Sequence, residues 1–289
     1  MTLAEFQELT KKGVVLLDGA MGSNLRAAGM PVGVCAEQWI SVHPDIVVKL
    51  QSAYVEAGSQ IIYAPTFSAN RIGLAMHGLE DQLEFLNREL VKISKKAANG
   101  KAYVAGDITT TGQMLEPRGD MSYQQLFDIY KEQITILADA GVDLLVAETM
   151  MNVEETLVAL DAAQAVCSLP MICTLTLQAD GSALYGGNAV EAVESLQEMG
   201  AAAVGLNCSV GPDQLEAVVR SMKAVAKVPV IAKPNAGLPE IDAHGMAHYS
   251  MNPQQFAEAM KNLIANGAQI VGGCCGTTPE YIRELAKVI

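Results

Sequence analysis

Eight short apolar segments recur along the chain, and longer stretches with helical periodicity separate them. Near-continuous apolar runs of this length are typical of strands buried on both faces of a parallel sheet. The eight segments are VVLLD (14–18), SQIIYA (59–64), AYVAGD (102–107), DLLVAE (143–148), PMICTLTL (170–177), AAVGLN (202–207), PVIAKP (229–234) and QIVGGC (269–274). Eight strand–helix units predict an α/β fold of the (β/α)8 TIM barrel type, with residues 1–289 as a single domain.

Helical patterns fill the intervals between these segments. The clearest patterns cover 44–58, 123–141, 153–166, 253–267 and 278–289. A helix C-terminus is expected at four glycines, Gly58, Gly141, Gly200 and Gly267. A doubly wound open sheet is the alternative fold, but DGAMGSN (18–24) lacks the full glycine spacing of a dinucleotide-binding turn.

Composition narrows the class of function. The net charge of −13, from 19 basic and 32 acidic residues, argues against binding to nucleic acid or anionic membranes, because both need a basic surface. No apolar run approaches the roughly 18 residues that cross a bilayer, and the N-terminal segment lacks the features of a secretory signal. We therefore expect a cytoplasmic protein whose six cysteines are thiols or metal ligands rather than disulfides.

Three of the cysteines lie at predicted strand ends. Cys208 stands in GLNCS (205–209), and the adjacent pair Cys274 and Cys275 stands in GGCCGTT (272–278). Strands six and eight of a barrel end about 10 Å apart, a gap that side chains can close around one ion. Three thiolates with an open fourth position are typical of a catalytic Zn²⁺ site. Buried small side chains and a vicinal redox pair are the alternatives.

The charge of such a centre indicates its chemistry. Three thiolates make Zn²⁺ a weak Lewis acid but allow it to hold a further thiol deprotonated and still nucleophilic. We therefore predict catalytic roles for Cys208, Cys274 and Cys275 in the attack of a zinc-bound substrate sulfur on an electrophilic carbon.

Polar residues at other strand ends are candidates for substrate binding. Asp18 and Glu148 are expected to bind a substrate ammonium or, alternatively, to cap the next helix. Backbone amides at Gly19, Ala20 and Ser209 are expected to bind a substrate carboxylate.

Three further polar residues follow strands three, six and seven. Asn207, beside Cys208, is expected to contact the substrate. The Asn235 amide oxygen is expected to fill the open metal position in the substrate-free protein, or the residue shapes a turn in KPNAG. Asp107 either contacts the donor that carries the electrophilic carbon or caps the segment that follows it.

Two motifs point to other activities. DAHGMAHYS (242–250) begins like the DxHxxG signature of corrinoid-binding domains, but Ala247 stands in place of the glycine. We expect this segment to be a loop at the mouth of the barrel. Lys233 offers a Schiff-base amine, which would make the chain a barrel lyase or aldolase without zinc.

Seven segments together carry a family resemblance that covers almost the whole chain. They are DGAMGSNL (18–25), the pair Glu37 and Trp39, Tyr54 with Ala57–Gly58, PTFSAN (65–70), ETM (148–150), GLNCS and GGCCGTTP. The chain resembles the homocysteine S-methyltransferase family, and within it the homocysteine-binding modules of cobalamin-dependent methionine synthases. The resemblance implies a barrel that binds zinc through Cys208, Cys274 and Cys275, with the homocysteine thiol as the fourth ligand and methionine as the product.

The resemblance leaves the methyl donor open. Within these 289 residues we expect neither a folate-binding barrel nor a corrinoid domain, so the methyl group should arrive on a separate molecule. Methylcobalamin on a separate corrinoid protein is the expected donor, and S-methylmethionine or betaine is the alternative. A zinc-dependent thiol carrier that needs a catalytic partner is the competing function.

Overall fold

The computed structural model describes residues 1–241 and 247–289, and eight parallel strands form its main sheet. These strands are β1 (Val15–Leu16), β2 (Ile61–Tyr63), β3 (Tyr103–Ile108), β4 (Leu144–Met150), β5 (Met171–Leu175), β6 (Ala203–Cys208), β7 (Val230–Pro234) and β10 (Ala268–Val271). Strands β2 to β7 pair with one another in chain order, and β10 pairs with β7 on one side and with β1 on the other. A parallel bridge between Leu17 and Ile61 joins β1 to β2 and closes the barrel. The predicted (β/α)8 barrel is confirmed.

Helices surround the barrel. In the described residues they are α1 (Leu3–Lys11), α2 (Gly22–Ala27), α3 (Ala36–Val42), α4 (Pro44–Ala57), α5 (Arg71–Ala75), α6 (Leu83–Ala98), α7 (Tyr123–Asp139), α8 (Val153–Val166), α9 (Ala189–Glu198), α10 (Glu216–Val225), α11 (Pro253–Ala265) and α12 (Pro279–Ala286). The four glycines predicted at helix ends all have a left-handed φ just beyond a helix. Gly58, with a φ of 115°, directly caps α4, a conformation that glycine adopts without steric cost.

Strand side chains alternate between the barrel interior and the helices. The interior is filled by a buried apolar cluster of Phe6, Val15, Leu17, Ile61, Tyr63, Ala105, Leu144, Val146, Ile172, Ala202, Ala203, Ile231 and Ile270. Two residues beyond Ala105, Val146 and Ile231 lie Asp107, Glu148 and Lys233, all of them buried. Because strand side chains repeat every two residues, these charged groups occupy the interior layer at the C-terminal end of the barrel.

A smaller hairpin follows the seventh barrel strand. Strands β8 (Pro239–Ile241) and β9 (Ala247–Tyr249) pair in the antiparallel sense, with Pro239 opposite Tyr249. The segment 242–250, predicted as a loop, does follow β7, but Ala247–Tyr249 form strand β9, and residues 242–246 lie outside the described residues. In the described part of the chain, no helix is both long and apolar enough to cross a membrane.

The N-terminal helix α1 closes the other end of the barrel. Phe6 is fully buried against the interior strand residues, and Leu9 packs on the same cluster. The N-terminal ammonium of Met1 donates a 2.7 Å hydrogen bond to the carbonyl oxygen of Asp143, directly before β4. The apolar bottom layer is thus sealed from water, while the polar top layer opens toward the C-terminal rim.

We predict that Phe6→Ala lowers the free energy of unfolding by about 3–5 kcal/mol, because it leaves a cavity in the bottom layer of the barrel. Urea unfolding followed by circular dichroism measures the change. Leu3→Ala is the control on the same helix; Leu3 is 45% exposed, and its loss should cost less than about 0.5 kcal/mol. Equal effects of both substitutions would contradict the closing role of Phe6.

Candidate functional site

Three cysteine sulfurs meet at the C-terminal rim of the barrel. Cys208 is the last residue of β6, and Cys274 and Cys275 follow β10. Their Sγ atoms all lie within 4.8 Å of one another, and those of Cys208 and Cys275 are 3.8 Å apart. Hydrogen bonds from Cys208 and Cys274 lower the pKa of Cys275 to about 3. The hydrogen bonds to Cys274 and Cys275 raise the pKa of Cys208, so Cys275 is the sulfur that carries the thiolate, the form that binds metals.

Unusual backbone conformations aim these sulfurs at one point. Cys208 and Ser209 have left-handed φ angles of 61° and 63°, which cost free energy in residues other than glycine and occur mostly at functional sites. Gly276 has a φ of 83° directly after the cysteine pair. A side chain at Gly276 would come within 2.3 Å of the Tyr249 ring, so the loop and the hairpin pack closely there.

Asn207 supports the cluster from behind. Its Oδ1 accepts a 2.9 Å hydrogen bond from the Thr149 amide, and its Nδ2 donates to Thr149 Oγ1 at 2.7 Å. The same Nδ2 lies 3.8 Å from the Cys274 sulfur. Asn207 is fully buried, so it links the end of β4 to the sulfur cluster. The expected direct contact between Asn207 and a substrate stays a prediction.

Thr277 ties the loop after β1 to the cysteine pair. Its hydroxyl accepts a 3.0 Å hydrogen bond from the Ala20 amide and donates a 2.7 Å bond to the Cys274 carbonyl. The Ala20 amide is therefore engaged, and of the expected Gly19–Ala20 pair the Gly19 amide is the one left for a substrate carboxylate. Gly19 has no room for a side chain, since a Cβ would lie 2.7 Å from the Tyr54 hydroxyl. Thr277 was not among the residues predicted for the site, although the motif GGCCGTT contains it.

The charged floor of the site consists of Asp18, Asp107, Glu148 and Lys233. The ammonium of Lys233 lies 3.0 Å from Glu148 Oε1 and 3.7 Å from Asp18 Oδ1. It also lies 4.9 Å from the centre of the Tyr63 ring, within cation–π range. Asp18 Oδ2 accepts a 2.8 Å hydrogen bond from the Tyr63 amide. The structure thus brings the predicted pair Asp18 and Glu148 together around a lysine.

Burial changes the acidity of the floor. It raises the pKa of Asp18 to about 7, despite the opposing charge of Lys233 and the Tyr63 amide. Burial also raises the pKa of Glu148, and it raises that of Asp107 well above the usual range, with the Glu148 charge adding to the effect. For Lys233, burial disfavours the charge, but Glu148 and Asp18 outweigh it and raise its pKa. A Schiff-base amine needs a lowered pKa, so the lyase alternative is not favoured.

A cavity of about 410 Å³ connects the cysteines with the charged floor, a size within the range of small-molecule sites. Apolar side chains also line the cavity, among them Met21, Leu25 and Ile40 from the segment between β1 and β2, and Pro65 and Phe67 after β2. Seven of the predicted site residues line the cavity, namely Asp18, Gly19, Ala20, Glu148, Cys208, Cys274 and Cys275.

Ser209 and Asn235 contact each other beside this cavity. Asn235 Nδ2 donates a 3.0 Å hydrogen bond to the Ser209 carbonyl oxygen, and Asn235 Oδ1 is buried without a hydrogen-bond partner in the described structure. An amide oxygen without a partner agrees with the expected role of Asn235 at an open metal position, which stays a prediction. The contact holds the loop after β6 against the end of β7.

Known proteins match this chain over nearly its whole length. The sequence profile of the family described as homocysteine S-methyltransferase matches residues 15–289. Two methionine synthases are 31% and 30% identical over 300 residues, those of Mycobacterium leprae (strain TN) and Mycobacterium tuberculosis (strain ATCC 25618 / H37Rv). Each alignment covers 98% of this chain and 25% of the relative. The chain therefore spans about a quarter of the length of these relatives.

Solved structures show the same fold. The homocysteine methyltransferase MmuM from Escherichia coli superposes with a TM-score of 0.80 in its oxidised form, at 24% identity and with 95% of each chain covered. Its metallated form gives a TM-score of 0.81 at 23% identity, covering 97% of this chain and 98% of that one.

We predict that Lys233→Met lowers the free energy of unfolding by about 3–5 kcal/mol at neutral pH, because it leaves two buried carboxyl groups without their counterion. The loss relative to the wild type should grow as the pH rises through about 7, the pKa of Asp18 when Lys233 is present. Without the Lys233 ammonium, the carboxyl pKa values of the native state rise further above those of the unfolded chain. The unfolded chain then releases its protons at a lower pH than the native state, so a higher pH favours unfolding.

Urea unfolding at several pH values measures this effect. Lys261→Met removes an exposed ion pair with Glu258 and should cost less than about 0.5 kcal/mol at every pH. A Lys233→Met variant as stable as the wild type would show that the lysine does not neutralise the floor.

Proposed function

The chain belongs to the homocysteine S-methyltransferase family, and we propose that residues 1–289 act as one homocysteine-binding domain that methylates the substrate thiol to give methionine. The family predicted from the sequence is confirmed, and membership of it supports the proposed methyltransferase activity. The single observation that carries the mechanism is the convergence of three cysteine sulfurs on a cavity with a charged floor. Such a cavity can bind a substrate thiol at its cysteine end and a substrate ammonium at its charged floor.

The sulfur geometry fits zinc. A tetrahedral site with Zn–S bonds near 2.3 Å places its sulfurs about 3.8 Å apart, and the Cys208 and Cys275 sulfurs have that separation. Cys208, Cys274 and Cys275 would hold the ion, which when bound keeps a substrate thiol deprotonated near neutral pH. The side chain of Asn207 and the hydroxyl of Thr277 keep the ligand-bearing loops in place.

The remaining groups of the cavity position the acceptor. The acidic floor attracts the ammonium of homocysteine, and the free amides of Gly19 and of the loop after β6 receive its carboxylate. The substrate sulfur then points to the cysteine rim and outward to the mouth. Its electron pair attacks the methyl carbon in line, a new S–C bond forms, and the donor leaves with the electrons of the broken bond. The apolar wall limits water around the reacting sulfur.

A methylcorrinoid delivered in trans is the proposed donor. Its support is the likeness to methionine synthases along 98% of this chain and a cavity that opens at the rim of the barrel. A separate corrinoid protein would be the partner, and a cytoplasmic location stays a prediction. S-methylmethionine and betaine remain the alternatives that an assay must separate.

We predict about one zinc per chain, with three sulfur ligands that become four when homocysteine is added. Elemental analysis and zinc-edge X-ray absorption measure these numbers. Cys208→Ser, Cys274→Ser and Cys275→Ser should each lose most of the metal on dialysis against a chelator. Cys167→Ser, which alters a half-buried thiol at the end of α8, should retain it. This mechanism would be ruled out if the purified chain bound no zinc, or if the number of sulfur ligands stayed the same when a thiol was added.

We predict that the zinc-loaded protein forms methionine from homocysteine and free methylcobalamin, whereas S-methylmethionine and betaine give no product above background. Chromatographic detection of methionine measures the rates, and Cys275→Ser is the inactive reference. Methionine formation with S-methylmethionine or betaine, but not with methylcobalamin, would contradict the proposed corrinoid donor. The proposed acceptor site would be unaffected by that result.

A further inference from the structure

A turn after β2 presents two residues to the cavity. The carbonyl oxygen of Thr66 accepts a 2.9 Å hydrogen bond from the Ala69 amide, so Phe67 and Ser68 are the central residues of a β-turn. Both of them line the cavity and are half-buried. We call residues 66–69 the cavity turn. It lies outside the helices and strands, so regular secondary structure does not fix its position.

Two fully buried amide side chains hold the cavity turn from the helix layer. Gln133, on α7, donates to the Thr66 carbonyl oxygen at 2.8 Å and to Asn87 Oδ1 at 3.2 Å. Asn87, on α6, donates to the Ala69 carbonyl oxygen at 2.8 Å. Buried amide groups are costly without partners, so the pair and the turn stabilise each other. The pair binds the first and last residues of the turn and leaves its two central residues facing the cavity.

The cavity turn lies across the barrel from the cysteine rim. The order around the closed barrel is β1, β10, β7, β6, β5, β4, β3 and β2, so β2 and β6 are four strands apart in either direction. The turn after β2 is therefore opposite Cys208, the last residue of β6. Because Phe67 lines the cavity from this side, its position sets the space that is left for a group on the reacting sulfur.

We propose that Gln133 is a positioning residue, which together with Asn87 fixes the cavity turn so that Phe67 limits the size of the alkyl group on the acceptor sulfur. Phe67 is then the specificity-determining residue, and Gln133 acts through it. This inference rests on the proposed function, because it takes methionine to be the product that the cavity holds. A wall that is held in place can exclude one extra methylene group, whereas a mobile wall would move aside.

The experiment compares methionine with ethionine, its S-ethyl homologue, which carries one more methylene group on the sulfur. Calorimetric titration of the purified protein measures both affinities, so the result does not depend on turnover. The wild type should bind methionine about tenfold or more tightly than ethionine, as expected for one methylene group at a fixed apolar wall. Gln133→Met keeps a side chain of similar size but removes both donated bonds. It should reduce the preference to less than about threefold, because the turn can then yield to the ethyl group.

Gln51→Met is the matched control. Gln51 is also fully buried, and its Nε2 donates a 2.7 Å hydrogen bond to the Tyr63 carbonyl oxygen. Within the part of the chain that the structure describes, its Oε1 has no hydrogen-bond partner, and neither has that of Gln133. The substitution removes the same kind of bond at the end of β2 instead of in the turn, so it should retain most of the preference for methionine. An equal loss in both variants would overturn the inference.

A double variant separates the positioning role from a general structural one. Phe67→Ala should by itself reduce the preference to less than about threefold, because it removes the wall that excludes the ethyl group. If Gln133 acts through Phe67, the addition of Gln133→Met to Phe67→Ala should lower the preference no further. A further loss as large as that in the single Gln133→Met variant would overturn the positioning role, and an unchanged preference in Phe67→Ala would overturn the role of Phe67.

Thermal unfolding midpoints show whether each variant is folded. If Gln133→Met does not fold, Asn87→Leu removes the other anchor of the turn and gives the same comparison. An unchanged preference in a folded anchor variant, or a wild type without preference, would overturn the inference and leave the proposed function standing. If the wild type binds neither ligand, the proposed function fails and the inference fails with it.

Discussion

Closure of the parallel barrel is the constraint on which the rest of the structure depends. Once Leu17 bridges to Ile61, all eight strands point their C-terminal ends to one rim. The barrel is too narrow to hold water along its axis, so its interior must be filled by side chains in layers. The lower layers are apolar and are sealed by Phe6. The top layer has an open side, and chemistry can be placed there without disturbing the packing below.

The top layer carries charge where an apolar layer would have been more stable. Lys233 and its carboxylate partners are nearly as deeply buried as the aliphatic residues beneath them. Burial of these ions is tolerated because each charge of the trio Asp18, Glu148 and Lys233 faces an opposite one. The trio is therefore preorganised, and the pKa of Asp18 near 7 shows how strongly burial opposes its charge. Asp107 is not part of this trio of paired charges.

The cysteine rim depends on residues that are not ligands. Cys208 and Cys275 are 67 positions apart in the chain, and neither segment holds its geometry alone. Asn207 connects the rim to β4, Thr277 connects it to the loop after β1, and Tyr249 packs over Gly276. Three separate parts of the structure thus position three sulfurs. A metal site that is built in this way resists collapse, because each loop is held by a different strand.

Much of this could be predicted from the sequence. The recurring apolar runs predicted the barrel, because strands that are buried on both faces of a parallel sheet consist largely of apolar residues. The cysteine motifs determined where a metal site would lie, since strand order places the ends of β6 and β10 near each other. Periodicity also predicted helices closely, as with Val153–Val166. All of these depend on local pattern and on strand order, which a single sequence contains.

The partners inside the site were decided by tertiary structure alone. Sequence position identified Asp18, Glu148 and Lys233 as strand-end residues but did not show that the lysine lies between the two acids. It likewise did not show that Thr277 occupies the Ala20 amide or that Asp107 Oδ1 has no hydrogen-bond partner among the described residues. Such pairings depend on distances of a few ångströms between strands far apart in the chain. The sequence by itself determined the barrel and the site's location, whereas closure of the barrel decided which charges meet there.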